Sequence, residues 1–436
     1  TGWLRPFEGG GSVEARVGAT RFSTDLRFPD FDDSQFTSQI DQLTMGATLT
    51  RPVGIGWTLK AGASADRYTW ANQARTGGTS FGDQGGAGWN PALFMQADWR
   101  KPGRWVVEAG VRVEGWDGAG ADPVVAPTPR VSVKRFVGDG RVALRGSAGR
   151  YAQFVQSVRD EEVPLGIDVW VTTSARVPHV ISDQVQVGFE TAPGGSWRVS
   201  GDAFVRNFRG VIAQNPADNP NDELDDLLAG TGRSWGMDGL LEFSGRGIEG
   251  SLAVSFLKAD RTFPETLSGA ETPGNVTYPP IFDRRLDTDL VLRFPLPKGW
   301  DGGLRWHVGT GVPYTRPLAG YPAFGPRQSR NGALRWGPED VGGGIEDGEA
   351  EEGPRAVLLG PRNGERYPDY HRLDLSARRT VRRSWGTVTP YVNVLNVYNQ
   401  KNVLFYFFDF EALPPTRSGL TMFPILPTIG VELRFR

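Results

Sequence analysis

The most regular feature of the chain is an alternation of apolar and polar residues with a period of two. Between Trp105 and Glu114, Val107, Ala109, Val111 and Val113 fall on one side, and Glu108, Gly110, Arg112 and Glu114 on the other. Further on, Trp197, Val199, Ala203 and Val205 oppose Arg198, Ser200, Asp202 and Arg206. Leu286, Leu290, Leu292 and Phe294 oppose Arg285, Asp287, Asp289 and Arg293, and Leu373, Leu375 and Ala377 oppose Arg372, Asp374, Ser376 and Arg378. A helix would scatter these charges around its circumference, whereas a strand collects them on one side. Many of the runs reach about ten residues, the length a tilted strand needs to cross a bilayer, whereas strands of ordinary sheets run about five or six.

The connections sort by length. Short turns rich in Gly and Pro fall at Arg51–Gly54, Lys101–Gly103, Val137–Gly140, Ala192–Gly195, Ser244–Gly247, Pro297–Gly299 and Arg382–Ser384. Between them lie longer segments near Pro29–Thr37, Trp70–Trp89, Gly115–Pro127, Gln156–Val177, Gly210–Ser234, Thr262–Ile281, Tyr314–Glu365 and Gln400–Met422. A soluble sandwich would show the same alternation along each strand, but it has no reason to sort its loops by end. An outer-membrane barrel does, with short periplasmic turns and long extracellular loops. The pattern therefore predicts an all-β chain, a transmembrane antiparallel up-and-down β-barrel of about sixteen strands, with residues 1–436 forming one barrel domain. The first strand should rise near Gly11 and the last should end at Arg436, leaving both termini periplasmic.

Composition agrees. No run approaches the ~18 apolar residues of a membrane helix, and only 39% of the 436 residues are hydrophobic, as expected when lipid meets every second side chain. The absence of Cys excludes disulfides and thiolate metal sites. A net charge of -2 gives no reason to expect nucleic acid. No signal peptide opens at Thr1, so the chain reads as mature or truncated.

Alternation puts Val107, Val111, Val199, Leu290, Leu292, Leu373, Leu375 and Leu433 towards lipid. It puts Arg112, Arg145, Arg198, Asp202, Arg206, Arg285, Asp287, Asp289, Arg293, Arg372, Asp374 and Arg378 towards the lumen. Their mixed signs imply a wet or polar-packed lumen without naming a solute.

The carboxyl end, Thr428-Ile429-Gly430-Val431-Glu432-Leu433-Arg434-Phe435-Arg436, has a polar residue, a Gly, an apolar row and an aromatic near the terminus. It resembles the signal by which the barrel-assembly machinery recognises a last strand, with Gly430, Leu433 and Phe435 as its key positions and Arg436 as a departure. Further segments resemble strands of TonB-dependent receptors, in order. They are Leu144–Phe154, Ser182–Glu190, Gly247–Leu252, Phe282–Arg285 and Gly309-Thr310-Gly311-Val312-Pro313-Tyr314-Thr315. The nearest matches are Tyr370–Leu375 and Tyr391-Val392-Asn393-Val394-Leu395-Asn396-Val397-Tyr398-Asn399. The resemblance covers most of the chain from about Asn90.

It implies TonB-driven uptake of a scarce solute such as an iron chelate, a corrinoid or an oligosaccharide. The implied partners are TonB, if a plug lies upstream, together with the assembly machinery, outer-membrane lipid and lipopolysaccharide. A plug-less passive pore and a structural barrel that anchors other proteins are the alternatives. Neither a plug nor a TonB box is found in this sequence. Such transporters have 22 strands around a plugged lumen. Either Gly11–Leu26 pairs with Thr428–Phe435 in a smaller barrel, or strands absent from this sequence complete a larger one; the order of the matches favours the second.

Other candidate sites are weaker. Glu339, Asp340, Glu346, Asp347, Glu349, Glu351 and Glu352 form an acidic, Gly-rich segment, as do Asp218, Asp222, Glu223, Asp225 and Asp226 in a stiffer one. Either could offer oxygens to Ca²⁺, but neither has the spacing of a Ca²⁺ loop and a solvated loop explains both. The aromatic run Val403–Phe410 suits a girdle or a packed loop better than a ligand surface. His179, His307 and His371 are far apart and lack zinc spacing. No catalytic frame or cofactor motif is found, so no enzyme activity is expected.

Overall fold

The computed structural model describes every residue except 30–33, 77–78, 119, 159–167, 216–226, 267–273, 323, 329–333, 339–354, 411, 413 and 436. The two acidic segments and Arg436 therefore lie outside the described residues. One large antiparallel sheet organises the rest. Its consecutive strands are β1 (Gly2–Phe7), β2 (Gly11–Phe28), β3 (Ser34–Gly54), β4 (Trp57–Thr76), β5 (Thr79–Lys101), β6 (Trp105–Gly118), β7 (Val124–Val137), β8 (Val142–Gln153) and β9 (Val180–Thr191). They continue as β10 (Trp197–Gln214), β11 (Leu227–Gly245), β12 (Ile248–Pro264), β13 (Leu286–Leu296), β14 (Trp300–Gly309), β15 (Tyr370–Arg378), β16 (Gly386–Leu395) and β17 (Leu426–Phe435). Two short strands, Asn275–Tyr278 and Val381–Arg383, add to the same sheet.

The fold is all-β and up-and-down, as the alternation implies, and all seven expected short turns join neighbouring strands at one end. The meander has one strand more than the expected sixteen. The segment before Gly11 turns back at Glu8–Gly10 and pairs with β2, Phe7 opposite Gly11 and Gly2 opposite Arg16. Its Arg5-Pro6 pair hides the alternation. Thr1 lies beside Val17, part-way along β2, rather than at the turn end.

Two of the expected long loops are largely strand. Trp70–Trp89 is ladder on both sides of the β4–β5 connection, with Trp70 opposite Gly86, and β10 and β11 run on to Gln214 and from Leu227. Beyond the apolar band no lipid demands alternation, and backbone pairing continues through Gly, Ser and Gln, so these extensions carry no period-two signal. Gln156–Val177 holds a hairpin, Val155–Val158 with Val169–Thr172. Gln400–Met422 holds another, Val403–Asp409 with Thr416–Thr421.

The apolar face carries exposed Leu93, Met95, Val111, Val131, Val185, Val187, Met237, Val431 and Leu433. Aromatics mark its edges. At the turn end Trp57 packs on Trp99, Trp197 on Phe243 and Trp385 on Phe435, with ring centroids 6.2, 4.6 and 5.4 Å apart. Along β5, ten residues separate Trp99 from Trp89 on the same face. That is about 33 Å of strand, or about 25 Å of height at a tilt near 40°, the height of the apolar band on an outer-membrane barrel.

Candidate functional site

The opposite face of the sheet carries most of the ion pairs. Strand register aligns them in rows. Arg145 stands opposite Gly188, Gly188 opposite Asp202, Asp202 opposite Asp238, Asp238 opposite Ser255, and Ser255 opposite Asp287. Arg145 reaches across the whole width of β9 to Asp202, its Nε 2.8 Å from Oδ1. Gly188 makes this possible, because a Cβ there would collide with the Asp202 carboxylate. Glu190 joins the group through Lys134 at 2.6 Å and Arg145 at 3.5 Å, and Gln186 donates to Asp202 at 3.1 Å.

Except for Arg378, which only stands opposite Asp301 in the register, each residue singled out by alternation for the polar side has a definite place. Arg112 pairs with Glu114 at 2.8 Å and donates to Ser64. Arg198 pairs with Glu242 at 3.2 Å. Arg206 lies over the Phe204 ring, 4.3 Å from its centroid. Arg293 sits between Glu249 and Asp301 at 3.7 and 3.6 Å. Arg372 pairs with Asp374 at 2.9 Å, and Asp374 accepts the backbone N–H of Asn396 at 2.9 Å.

Asp287 and Asp289 belong to one cluster towards the long-loop end. Arg284 donates to Asp287 at 2.9 Å, Arg305 to Asp289 at 2.8 Å, and His307 Nδ1 lies 2.8 Å from Asp289. Tyr370 meets the His307 ring edge-on at 5.1 Å. The oxygens of Asp287 and Asp289 and a His307 nitrogen lie within 4.8 Å of one another, close enough to share a cation. Arg284 and Arg305 already neutralise both carboxylates, so a cation would have to displace them. Histidine spacing gives no hint of this group. Hairpin register does: the turn at Pro297–Gly299 sets Leu296 opposite Trp300, which brings Asp289 opposite His307.

At the long-loop end Asp283 is fully buried. It accepts the Ala259 N–H at 2.7 Å, pairs with Arg285 at 3.0 Å and also binds Arg366. Arg366 in turn donates to the carbonyl of Gly311 at 2.9 Å, so the β12–β13 and β14–β15 connections are tied together. Nearby, Tyr406 of the aromatic run packs with Tyr314 and Tyr367, and Arg417 covers the Tyr406 ring at 4.1 Å. Burial and its tyrosine neighbours push the Tyr367 hydroxyl pKa up. The run is thus one arm of a hairpin at the long-loop end, outside the main ladder.

On β17, Leu433 and Phe435 belong to the apolar row, and Phe435 is 74% exposed. Gly430 lies on the other face opposite Tyr391, whose ring occupies the space a Cβ would need.

A long-stranded antiparallel meander with an apolar face, aromatic borders and an ion-paired reverse defines an outer-membrane β-barrel type. The chain belongs to the TonB dependent receptor-like β-barrel family, whose sequence profile matches residues 4–399. That family is one of outer-membrane transporters and receptors rather than enzymes. No curated protein matches the sequence. Among solved structures the fold is similar to the ferripyoverdine receptor of the outer membrane of Pseudomonas aeruginosa, with a TM-score of 0.63 and 11% identity. That match covers 99% of this chain and 55% of the receptor. It is similar also to the FrpB iron transporter from Neisseria meningitidis, with a TM-score of 0.60 and 11% identity over 98% of this chain and 62% of that one. A copper transporter, OprC, matches with a TM-score of 0.58 and 12% identity over 97% and 62%. The chain thus spans 55% to 62% of the length of these structures.

Proposed function

We propose that this chain is the barrel of a TonB-coupled importer of a scarce solute, with the charged face lining the lumen, long loops outside and short turns in the periplasm. The observation that carries this reading is the charged face, whose ion pairs extend from Arg112 on β6 to Arg372 on β15. Such a surface cannot face hydrocarbon, where a charge at mid-depth costs about 2–4 kcal/mol, and it suits a hydrated path or a polar plug. Family membership supports coupling to TonB. A ferric or other metal chelate is the favoured cargo class, because the receptors and transporters of similar fold named above handle pyoverdine, iron and copper; a corrinoid or an oligosaccharide remains open to the same test. Gly430, Leu433 and Phe435 serve as the last-strand signal for assembly.

Uptake of radiolabelled ferric chelates, a corrinoid and an oligosaccharide is measured in cells that carry or lack the gene, with and without a functional TonB. Accumulation of one solute that needs both the gene and TonB is expected. Gene-dependent entry that persists without TonB points to a passive pore and overturns the proposal. No gene-dependent entry of any solute leaves a structural role.

A further inference from the structure

On the apolar face, one patch just beyond the aromatic border towards the long-loop end is strongly basic. Register defines it in rows. Ala148, Val185, Val205, Trp235 and Lys258 are successive cross-strand partners on β8 to β12. The next row towards the loops is Arg150, Asp183, Asn207, Arg233 and Asp260, and Arg209 follows one row further on β10. Arg209 and Lys258 are therefore the two diagonal neighbours of Arg233, each about 7–8 Å from it across adjacent strands.

These three cations are not equally satisfied. Arg209 shares Asp183 with Arg150, at 3.0 and 2.7 Å. Lys258 has only a loose pair with Asp260 at 3.8 Å. Arg233 is exposed and its side chain makes no ion pair or hydrogen bond among the described residues. The four cations and two carboxylates leave two positive charges uncompensated. Directly beneath, Trp235 and Phe256 pack at 5.4 Å and Met237 lies open on the apolar band. Paired cations elsewhere on this face, such as Arg21 with Asp41, balance to zero.

We propose that Arg209, Arg233 and Lys258 form a site for a phosphate group of the outer-leaflet glycolipid, whose acyl chains lie along Trp235, Phe256 and Met237. The inference rests on the outer-membrane setting of the family and on the proposed orientation with long loops outside, and not on the proposed uptake. A phosphomonoester offers several acceptors to guanidinium and ammonium donors on adjacent strands, and such charge-assisted bonds are the strong ones. Cations beside an anionic membrane surface add to the attraction. A lipid is favoured over a free anion because the same patch continues without a break into the apolar band.

The test uses the protein purified from outer membranes in detergent, with bis-phosphorylated lipid A, lipid A stripped of both phosphates, and inorganic phosphate as probes. Bound lipid is read by native mass spectrometry. Bis-phosphorylated lipid A should be retained at least about tenfold better than the stripped form. The triple variant Arg209→Gln/Arg233→Gln/Lys258→Gln should lose that preference, while Lys298→Gln at the far end of the strands should keep it. Asp183→Asn, which frees Arg150 and Arg209, should strengthen retention, a direction that a folding defect cannot mimic. Undiminished retention in a folded triple variant overturns the site. Complete displacement by millimolar inorganic phosphate overturns the lipid assignment. If the triple variant does not fold, Asp183→Asn decides alone: no gain in retention overturns the proposal.

Discussion

Gly188 shows how a single missing side chain organises the charged face. Without a Cβ it leaves the gap through which Arg145 and Asp202 meet across β9. Alanine in a strand interior is ordinarily no worse than glycine, so a cost at Gly188 isolates the role of that gap. Gly188→Ala should destabilise by about 1–3 kcal/mol, the range for overpacking a filled site. Gly239→Ala, whose Cβ would meet only the Val254 carbonyl oxygen at an ordinary 3.9 Å, should change stability by less than about 0.5 kcal/mol. Urea unfolding in lipid vesicles measures both, and equal effects would remove the argument. The neighbours of Gly188 test sidedness. Val187 is 57% exposed on the apolar face, and Gln186 lies on the charged face beside Asp202. Val187→Arg should cost about 2–4 kcal/mol and Gln186→Arg much less. Similar costs would mean that the apolar face does not meet lipid.

At the scale of elements, the strands that cross the apolar band were legible because lipid on one side and charge on the other impose a period of two. The elements at the long-loop end were not. The hairpin Val155–Val158/Val169–Thr172 is short and irregular in pattern, and long-range contacts hold it. Trp70 donates to Thr172 at 2.8 Å, Asn72 to the Trp170 carbonyl at 2.9 Å, and Trp116 to the Thr173 carbonyl at 2.9 Å. Those partners lie 57 to 102 residues away in sequence, beyond any local signal. The cluster of Asp287, Asp289 and His307 was half legible: alternation put both carboxylates on one side, but only cross-strand register supplies the histidine. The loop that carries the hairpin should respond to pH through His179, which stacks on Phe154 at 5.7 Å. Burial pulls the His179 pKa below its ordinary value of 6.5. The docked loop thus prefers neutral imidazole, and an undocked loop binds more protons just below pH 6.5. Docking is therefore at full strength above about pH 6.5 and weakens as the pH falls towards the lowered value. Hydrogen exchange of residues 154–158 and 168–179, corrected for intrinsic rates, should speed up between pH 7.5 and pH 5. His179→Gln should abolish that dependence, and persistence of the full effect in the variant would exclude His179 as its source.

For the whole molecule the decisive fact is the odd length of the meander. Seventeen consecutive antiparallel strands leave β1 and β17 pointing the same way, so a ladder between them would be parallel. Both edges of β2 are already taken, by β1 and β3, which removes the smaller barrel in which that strand would pair with Thr428–Phe435. Among the described residues no ladder joins β1 to β17. Open edges cannot stand in hydrocarbon, where each unsatisfied backbone group costs several kcal/mol, and single-chain bacterial barrels have an even number of antiparallel strands. We infer that further strands separate β1 from β17 in the membrane. The absence of native cysteine makes the test clean. Cysteines at Trp3 or Leu4 are combined in turn with cysteines at Ile429, Val431 or Leu433, in protein assembled in outer membranes. A disulfide needs Cα atoms within about 7 Å. The register partners Val392 and Ile429, on adjacent β16 and β17, serve as the positive control and should oxidise readily. No combination across the β1–β17 seam should cross-link. Efficient cross-linking of any one of them would show that the two edges meet directly, and the barrel would then close with the seventeen strands described here.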